Sequence, residues 1–98
     1  MYVITYISTR PDPTIPWFSR SEEINKQFSI EKREGRLIFD EFEVSSDGIS
    51  GVYTATWDTK ESYQNFINLS MMLSFRKERQ EYNQQTGCTT VQIAEVEI

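Results

Sequence analysis

The sequence predicts an α+β domain with the element order β-α-β-β-α-β, a four-stranded antiparallel sheet carrying two helices on one face. Three observations predict it. Asp47-Gly48 lies between two runs of β-type residues and reads as a two-residue hairpin turn. Two pairs at capping-box spacing, Ser19/Glu22 and Asp58/Glu61, open two helical stretches. Gly35 closes the first of these directly before the hairpin, because glycine adopts a positive φ without a Cβ penalty.

Each element follows from its residues. Tyr2 to Ser8 is β-branched and aromatic, and both alternating sets are partly apolar, as in a central strand covered on both sides. Pro11, Pro13 and Pro16 exclude helix and sheet from the next stretch, which reads as an ordered or extended loop running into Trp17 and Phe18. A helix is expected from about Ser21 to Glu34, with a thin apolar stripe of Ile24, Phe28 and Ile30. Counting outward from Asp47-Gly48 sets Phe42 opposite Tyr53, Asp40 opposite Ala55 and Ile38 opposite Trp57. One face then carries Ile38, Asp40, Phe42, Val44, Tyr53, Ala55 and Trp57, and belongs under the helices. The other carries Leu37, Phe39, Glu41, Glu43, Val52, Thr54 and Thr56. The second helix is expected to run to about Gln84, with a break after Ser74 as one option. Its apolar face is Tyr63, Phe66, Ile67, Met71 and Phe75, widened by Leu69, Met72 and Leu73 towards a second partner. The last strand, Thr89 to Ile98, changes apolar phase midway, which calls for a bulge near Ala94 or cover on both faces.

Composition bounds what such a domain does. Its 98 residues, without linkers or repeats, predict a single domain spanning 1–98. Hydrophobic content is a lean 38%, so further apolar burial by self-association is expected, and with it a homodimer. The net charge of −5 disfavours nucleic acid, which needs clustered cations. The basic run Arg76, Lys77 and Arg79 reads as the solvated end of a helix, where positive charge suits the dipole. No apolar stretch is long enough for a membrane span, and the N-terminus lacks the pattern of a signal peptide. With a single cysteine, Cys88, read as a small packed residue, a cytoplasmic protein is expected.

The catalytic inventory is sparse. The chain has no histidine, which excludes Ser-His-Asp and Cys-His pairs and histidine ligation of metal or haem. The acids Asp40, Glu41, Glu43 and Asp47 alternate between faces and read as a solvated rim rather than a metal site. No motif asks for a cofactor. Asp40 stands out as the one charged group on the apolar face. It reads as an inward charge on an edge strand, with a pocket base or anchor as the alternative. Phe42, Tyr53 and Trp57 surround it and complete a candidate pocket. Trp17 and Phe18, after the proline loop, are candidates for a lid or interface. Leu37, Phe39, Thr54 and Thr56 are candidates for an interface on the opposite face.

The run from Val52 to Tyr63, in which a strand ends at Trp57 and passes through Asp58 into a capped helix, resembles the dimeric α+β barrel superfamily. That superfamily has ferredoxin-like subunits and includes the antibiotic-biosynthesis-type monooxygenases. The exit through Phe75, Tyr82-Asn83 and Gly87 before the last strand is similar too. The resemblance implies two sheets packed face to face and a pocket between sheet and helices in each subunit. It also implies cofactor-independent oxygenation of aromatic substrates by Tyr, Trp, Asn and Arg side chains, none matched here position by position. Haem-degrading and chlorite-decomposing relatives rely on histidine, so those roles are disfavoured. Fold alone does not transmit function. The inventory therefore favours a non-enzymatic dimeric interaction or assembly domain. The alternative is a small-molecule-binding or monooxygenase-like enzyme with an apolar ligand in the sheet–helix pocket.

Overall fold

The computed structural model describes all residues, 1–98, in the order β1 (Tyr2–Thr9), α1 (Glu22–Arg33), β2 (Leu37–Val44), β3 (Ser50–Trp57), α2 (Lys60–Ile67), α3 (Ser70–Thr86) and β4 (Thr89–Glu97). The four strands form one antiparallel sheet ordered β2-β3-β1-β4, so β1 and β3 are central and β2 and β4 are edges. This is the expected α+β, ferredoxin-like arrangement, with the second helix divided in two.

The core lies between the helices and one sheet face. Tyr2 and Ile4 of β1 and Ala55 and Trp57 of β3 project into it, and Ile24, Phe28, Tyr63, Phe66 and Met72 close it from the helices. An aromatic cluster forms its centre: Trp57 lies 5.1 Å from Phe66 and 5.8 Å from Tyr63, and Phe28 stands edge-on to Phe66 at 4.8 Å. The charged residue Glu31 is also buried. It accepts three hydrogen bonds from the Arg36 guanidinium, from Nε to Oε1 at 3.0 Å and to Oε2 at 3.2 Å and from Nη2 to Oε2 at 2.6 Å, which pins the end of α1 to the entry of β2. Such a carboxylate is tolerated at depth because its charge and lone pairs are met.

The hairpin register is the expected one at Phe42↔Tyr53 and Asp40↔Ala55. The turn is wider than two residues: Ser45 and Ser50 make the last ladder bond, and Gly48 N–H donates to the Ser45 carbonyl. At the other end the register shifts. Leu37 pairs with Trp57 and Phe39 with Thr56, leaving Ile38 as the extra residue of a bulge. The bulge reverses the parity of the strand start. Leu37, expected on the outer face as an interface residue, is therefore fully buried beside Trp57, and Ile38, expected under the helices, is 51% exposed. In β4 the register likewise shifts at Ile93, beside the expected Ala94.

Caps fall next to the expected residues. Ser21, not Ser19, caps α1, and its Oγ accepts from Ile24 N–H at 3.2 Å. Thr59, not Asp58, caps α2 by accepting from Ser62 N–H at 3.0 Å. The helical stretch breaks at Asn68-Leu69 rather than after Ser74: Leu69 has ψ 142 and serves as the N-cap position of α3 without a side-chain bond.

Candidate functional site

A cavity of about 560 Å³ opens between the sheet and the helices, within the range of small-molecule sites. It runs across the whole sheet, from Asp40 and Phe42 on β2, past Tyr53 on β3 and Tyr6 and Ser8 on β1, to Thr89 and Thr90 on β4. Trp57, Phe28, Phe66 and Met72 form its depth, and Ile67, Phe75, Arg76 and Arg79 close it from the helices. Aromatic and aliphatic surface dominates, with polar groups at separate points along the walls.

One wall is built by the segment after the proline loop. Arg10 holds that loop to the hairpin: Nε donates to the Gly48 carbonyl at 2.6 Å and Nη1 to the Ile15 carbonyl at 2.8 Å. Its guanidinium lies 4.3 Å from the Trp17 ring centroid. Trp17 in turn stands edge-on to Phe42 at 5.8 Å. Phe42 lies across Gly51, where a Cβ would come within 2.2 Å of its ring. Phe18 packs at 5.5 Å from Phe75 and 5.4 Å from Tyr82, and the Tyr82 hydroxyl donates to the Pro16 carbonyl. Both Trp17 and Phe18 thus line the cavity.

The four candidate pocket residues all line the cavity. Asp40 is not a free carboxylate: Lys32 Nζ is 2.7 Å from Oδ1, and the Tyr53 hydroxyl donates to Oδ2 at 2.8 Å. Burial pushes its pKa up, but the hydrogen bonds from Lys32 and Tyr53 and the nearby Arg20 outweigh that and hold it below the ordinary value. Burial, with Asp40 beside it, raises Tyr53 far above the usual phenol range. Asp40 therefore acts as a neutralised anchor tying β2, β3 and α1 together. Trp57 is 1% exposed, and its indole N–H is buried without a hydrogen-bond partner. Of the outer-face candidates, Phe39, Thr54 and Thr56 lie on the sheet face away from the cavity, Phe39 being 56% exposed.

Sequence reasoning gave no place in the site to five of its contributors. Arg20 stacks 3.7 Å from the Phe28 ring centroid and 5.4 Å from that of Tyr53. Tyr6 and Tyr63 share a short hydroxyl–hydroxyl bond, and burial, reinforced by that bond, raises Tyr63. Arg79, taken for part of a solvated helix end, lines the cavity; burial lowers its pKa, the nearby Arg76 charge adds to this, and the phenols of Tyr6 and Tyr63 oppose it. The only available signal for Arg79 was its spacing on α3, four residues after Phe75, on the side that faces the sheet. Cys88 is buried and also borders the cavity. No cluster of three or more His, Cys, Asp or Glu side chains is arranged to hold a metal ion. No helix is long and apolar enough to cross a membrane.

No protein-family model matches the chain. No curated protein matches it. Among solved structures, the fold matches a Deinococcus radiodurans protein whose assignment as an antibiotic biosynthesis monooxygenase is itself provisional. The TM-score is 0.62 at 9% identity, over 100% of this chain and 92% of that one. At that identity the likeness is one of fold.

Proposed function

We propose that this domain binds a small, ring-bearing apolar molecule in the cavity between its sheet and helices. The observation that carries this reading is the cavity itself: about 560 Å³, walled by Trp17, Phe18, Phe42, Trp57, Tyr63 and Phe75. Space of that size in a domain of 98 residues is costly to leave unfilled by side chains, since interiors are otherwise close-packed. It shifts preference from an assembly domain to a ligand-binding one. Monooxygenase-like chemistry on the bound ring is the finer reading. It is supported by the residue types on the walls (Tyr6, Tyr63, Trp57, Asn83 and Arg76) and by a protein of the same fold assigned to such a family.

A second feature favours self-association alongside binding. The outer sheet face carries Val3, Ile7, Val52, Phe39, Val91 and Val96 with no element over it. A second copy packed there would make a homodimer, each subunit keeping its own cavity.

Titration of the protein with anthracene, read by the fluorescence of the ring, tests the ligand reading. Saturable binding with one site per chain is expected, with the emission of Trp17 and Trp57 quenched by energy transfer to the bound ring. Absence of saturable binding at micromolar protein would sink it.

A further inference from the structure

We infer that the ligand carries an acidic group, a carboxylate or its equivalent, held by Arg79 where the cavity opens between α3 and β4, while its apolar ring lies deeper against Trp57. The inference rests on the ligand-binding reading above and adds the chemical class of what is bound.

Arg79 is the starting point. It is half-buried on α3, and none of the ion pairs or side-chain hydrogen bonds of the structure includes it. Its nearest aromatic face is Phe75, at 5.6 Å. The other arginines are provided for. Arg10 and Arg76 donate to carbonyls, Arg36 and Arg33 face Glu31 and Glu34, and Arg20 lies against Phe28. A guanidinium removed from water without an anion is unfavourable, and the adjacent Arg76 adds like charge. An unpaired guanidinium in a cavity wall is a functional-site candidate on those grounds, and the group that would match it is an anion from outside the chain.

The surroundings say which way that anion enters. A second, polar cavity lies against the first, and the two share Arg76, Arg79, Asn83, Cys88, Thr89 and Thr90. Arg79 therefore stands on the partition between an apolar chamber and a polar vestibule. The vestibule adds Lys77, Gln80 and Gln84 and contains no acidic residue, in a chain with 15 acids against 10 bases. Hydroxyl and amide groups there, Thr90 bonded to Asn83 at 3.1 Å and to Ser8 at 3.1 Å, offer further polar contacts. At the far side of the sheet the chamber ends at Asp40, on the edge strand opposite β4. The cations at that end, Lys32 and Arg20, already have the Asp40 carboxylate beside them, whereas Arg79 has no anion in the chain, so a ligand anion is favoured at Arg79. Arginine also suits a planar carboxylate through paired N–H donors.

The test uses the whole chain and two probes of one shape, an anthracene carboxylate and the corresponding carboxamide. The carboxylate is expected to bind the wild type at least roughly ten-fold more tightly than the amide. Arg79→Gln should bring the two affinities together while leaving the amide within about two-fold, and Arg79→Lys should restore most of the preference. Arg79→Gln should also raise the thermal midpoint of the empty protein, since it removes an unpaired buried charge; a purely structural arginine would lower it. Equal binding of both probes by the wild type, or a preference that survives in Arg79→Gln, would overturn the inference and leave the cavity reading standing. Failure of both probes to bind would overturn the cavity reading with it.

Discussion

At the scale of single residues, Asp40 and Gly51 show how local chemistry shapes the cavity. Asp40 has a side chain only 9% exposed and keeps its charge because Lys32 and Tyr53 supply hydrogen bonds that exceed the cost of burial. Its pKa is lowered from 3.8, so the folded state gains stability from Asp40 above that value and loses it as pH falls through the lower, folded value. Asp40→Asn should therefore flatten the acid limb of stability measured by urea unfolding at a series of pH values. At neutral pH the substitution should cost about 1 kcal/mol, since Lys32 remains half-exposed and Tyr53 keeps an acceptor. Anthracene binding should change by less than about two-fold, since the carboxylate faces its own partners; abolished binding in a folded Asp40→Asn protein would make Asp40 a ligand group instead. Gly51 acts sterically. A methyl there would meet the Phe42 ring at 2.2 Å, and Phe42 is 44% exposed and free to swing outward. Gly51→Ala is thus expected to cost little stability, roughly 1 kcal/mol or less, yet to release Trp17 from Phe42 and shift its fluorescence to longer wavelength. An unchanged Trp emission would show that Phe42 does not hold Trp17. Asp40 was legible in the sequence because alternation isolates a single charge on an apolar face. Arg79 was not, because its environment depends on how α3 crosses the sheet, which no local pattern fixes.

At the scale of elements, capping chemistry and the hairpin turn carry the fold. The strand pairing around Phe42 and Tyr53 was legible because turn residues set the register and every residue outward from the turn follows by counting. Counting failed past Ile38, since the sequence Leu37-Ile38-Phe39 is apolar throughout and alternation has nothing to report a bulge. The break at Asn68-Leu69 was hidden for a similar reason. Leu69 has high helix propensity, yet its backbone is extended between two helices that bury Phe66 and Met72 in the same core, which no local pattern reports. The helix starts were legible to within two residues, because serine and threonine are dense there and only geometry selects among them. Ser21→Ala should lower stability by about 1 kcal/mol by orphaning the Ile24 N–H, and Ser19→Ala should be neutral within about 0.5 kcal/mol. Parallel thermal melts separate them. A larger loss at Ser19 would place the start of α1 two residues earlier in solution.

At the scale of the whole molecule, the two faces of one sheet have divided tasks. The inner face is committed to the core and the cavity, so of the two sheet faces only the outer one is open to self-association. Four strands at ~4.8 Å spacing and eight residues at ~3.3 Å rise give a face of ~19 by ~26 Å, or ~500 Å² of footprint per subunit. Two such faces reach the ~1,000 Å² that a specific interface needs. Val52 sits centrally on this face, opposite Ile7 on one side and Glu43 on the other. Val52→Lys places a charge where a second sheet would pack, and Glu43 offers it an ion pair, so the subunit itself should tolerate the change within about 1 kcal/mol. The wild type is expected to scatter light as a dimer at micromolar concentration, and Val52→Lys as a monomer of unchanged helix and strand content. A wild type that is already monomeric would remove the dimer from the proposal. A dimer that survives Val52→Lys would move the interface elsewhere, with the exposed Leu69 at the N-cap of α3 and Leu73 within it as the next apolar surface. Anthracene affinity in the monomeric variant should match the wild type within about two-fold, because every wall of the cavity comes from one chain.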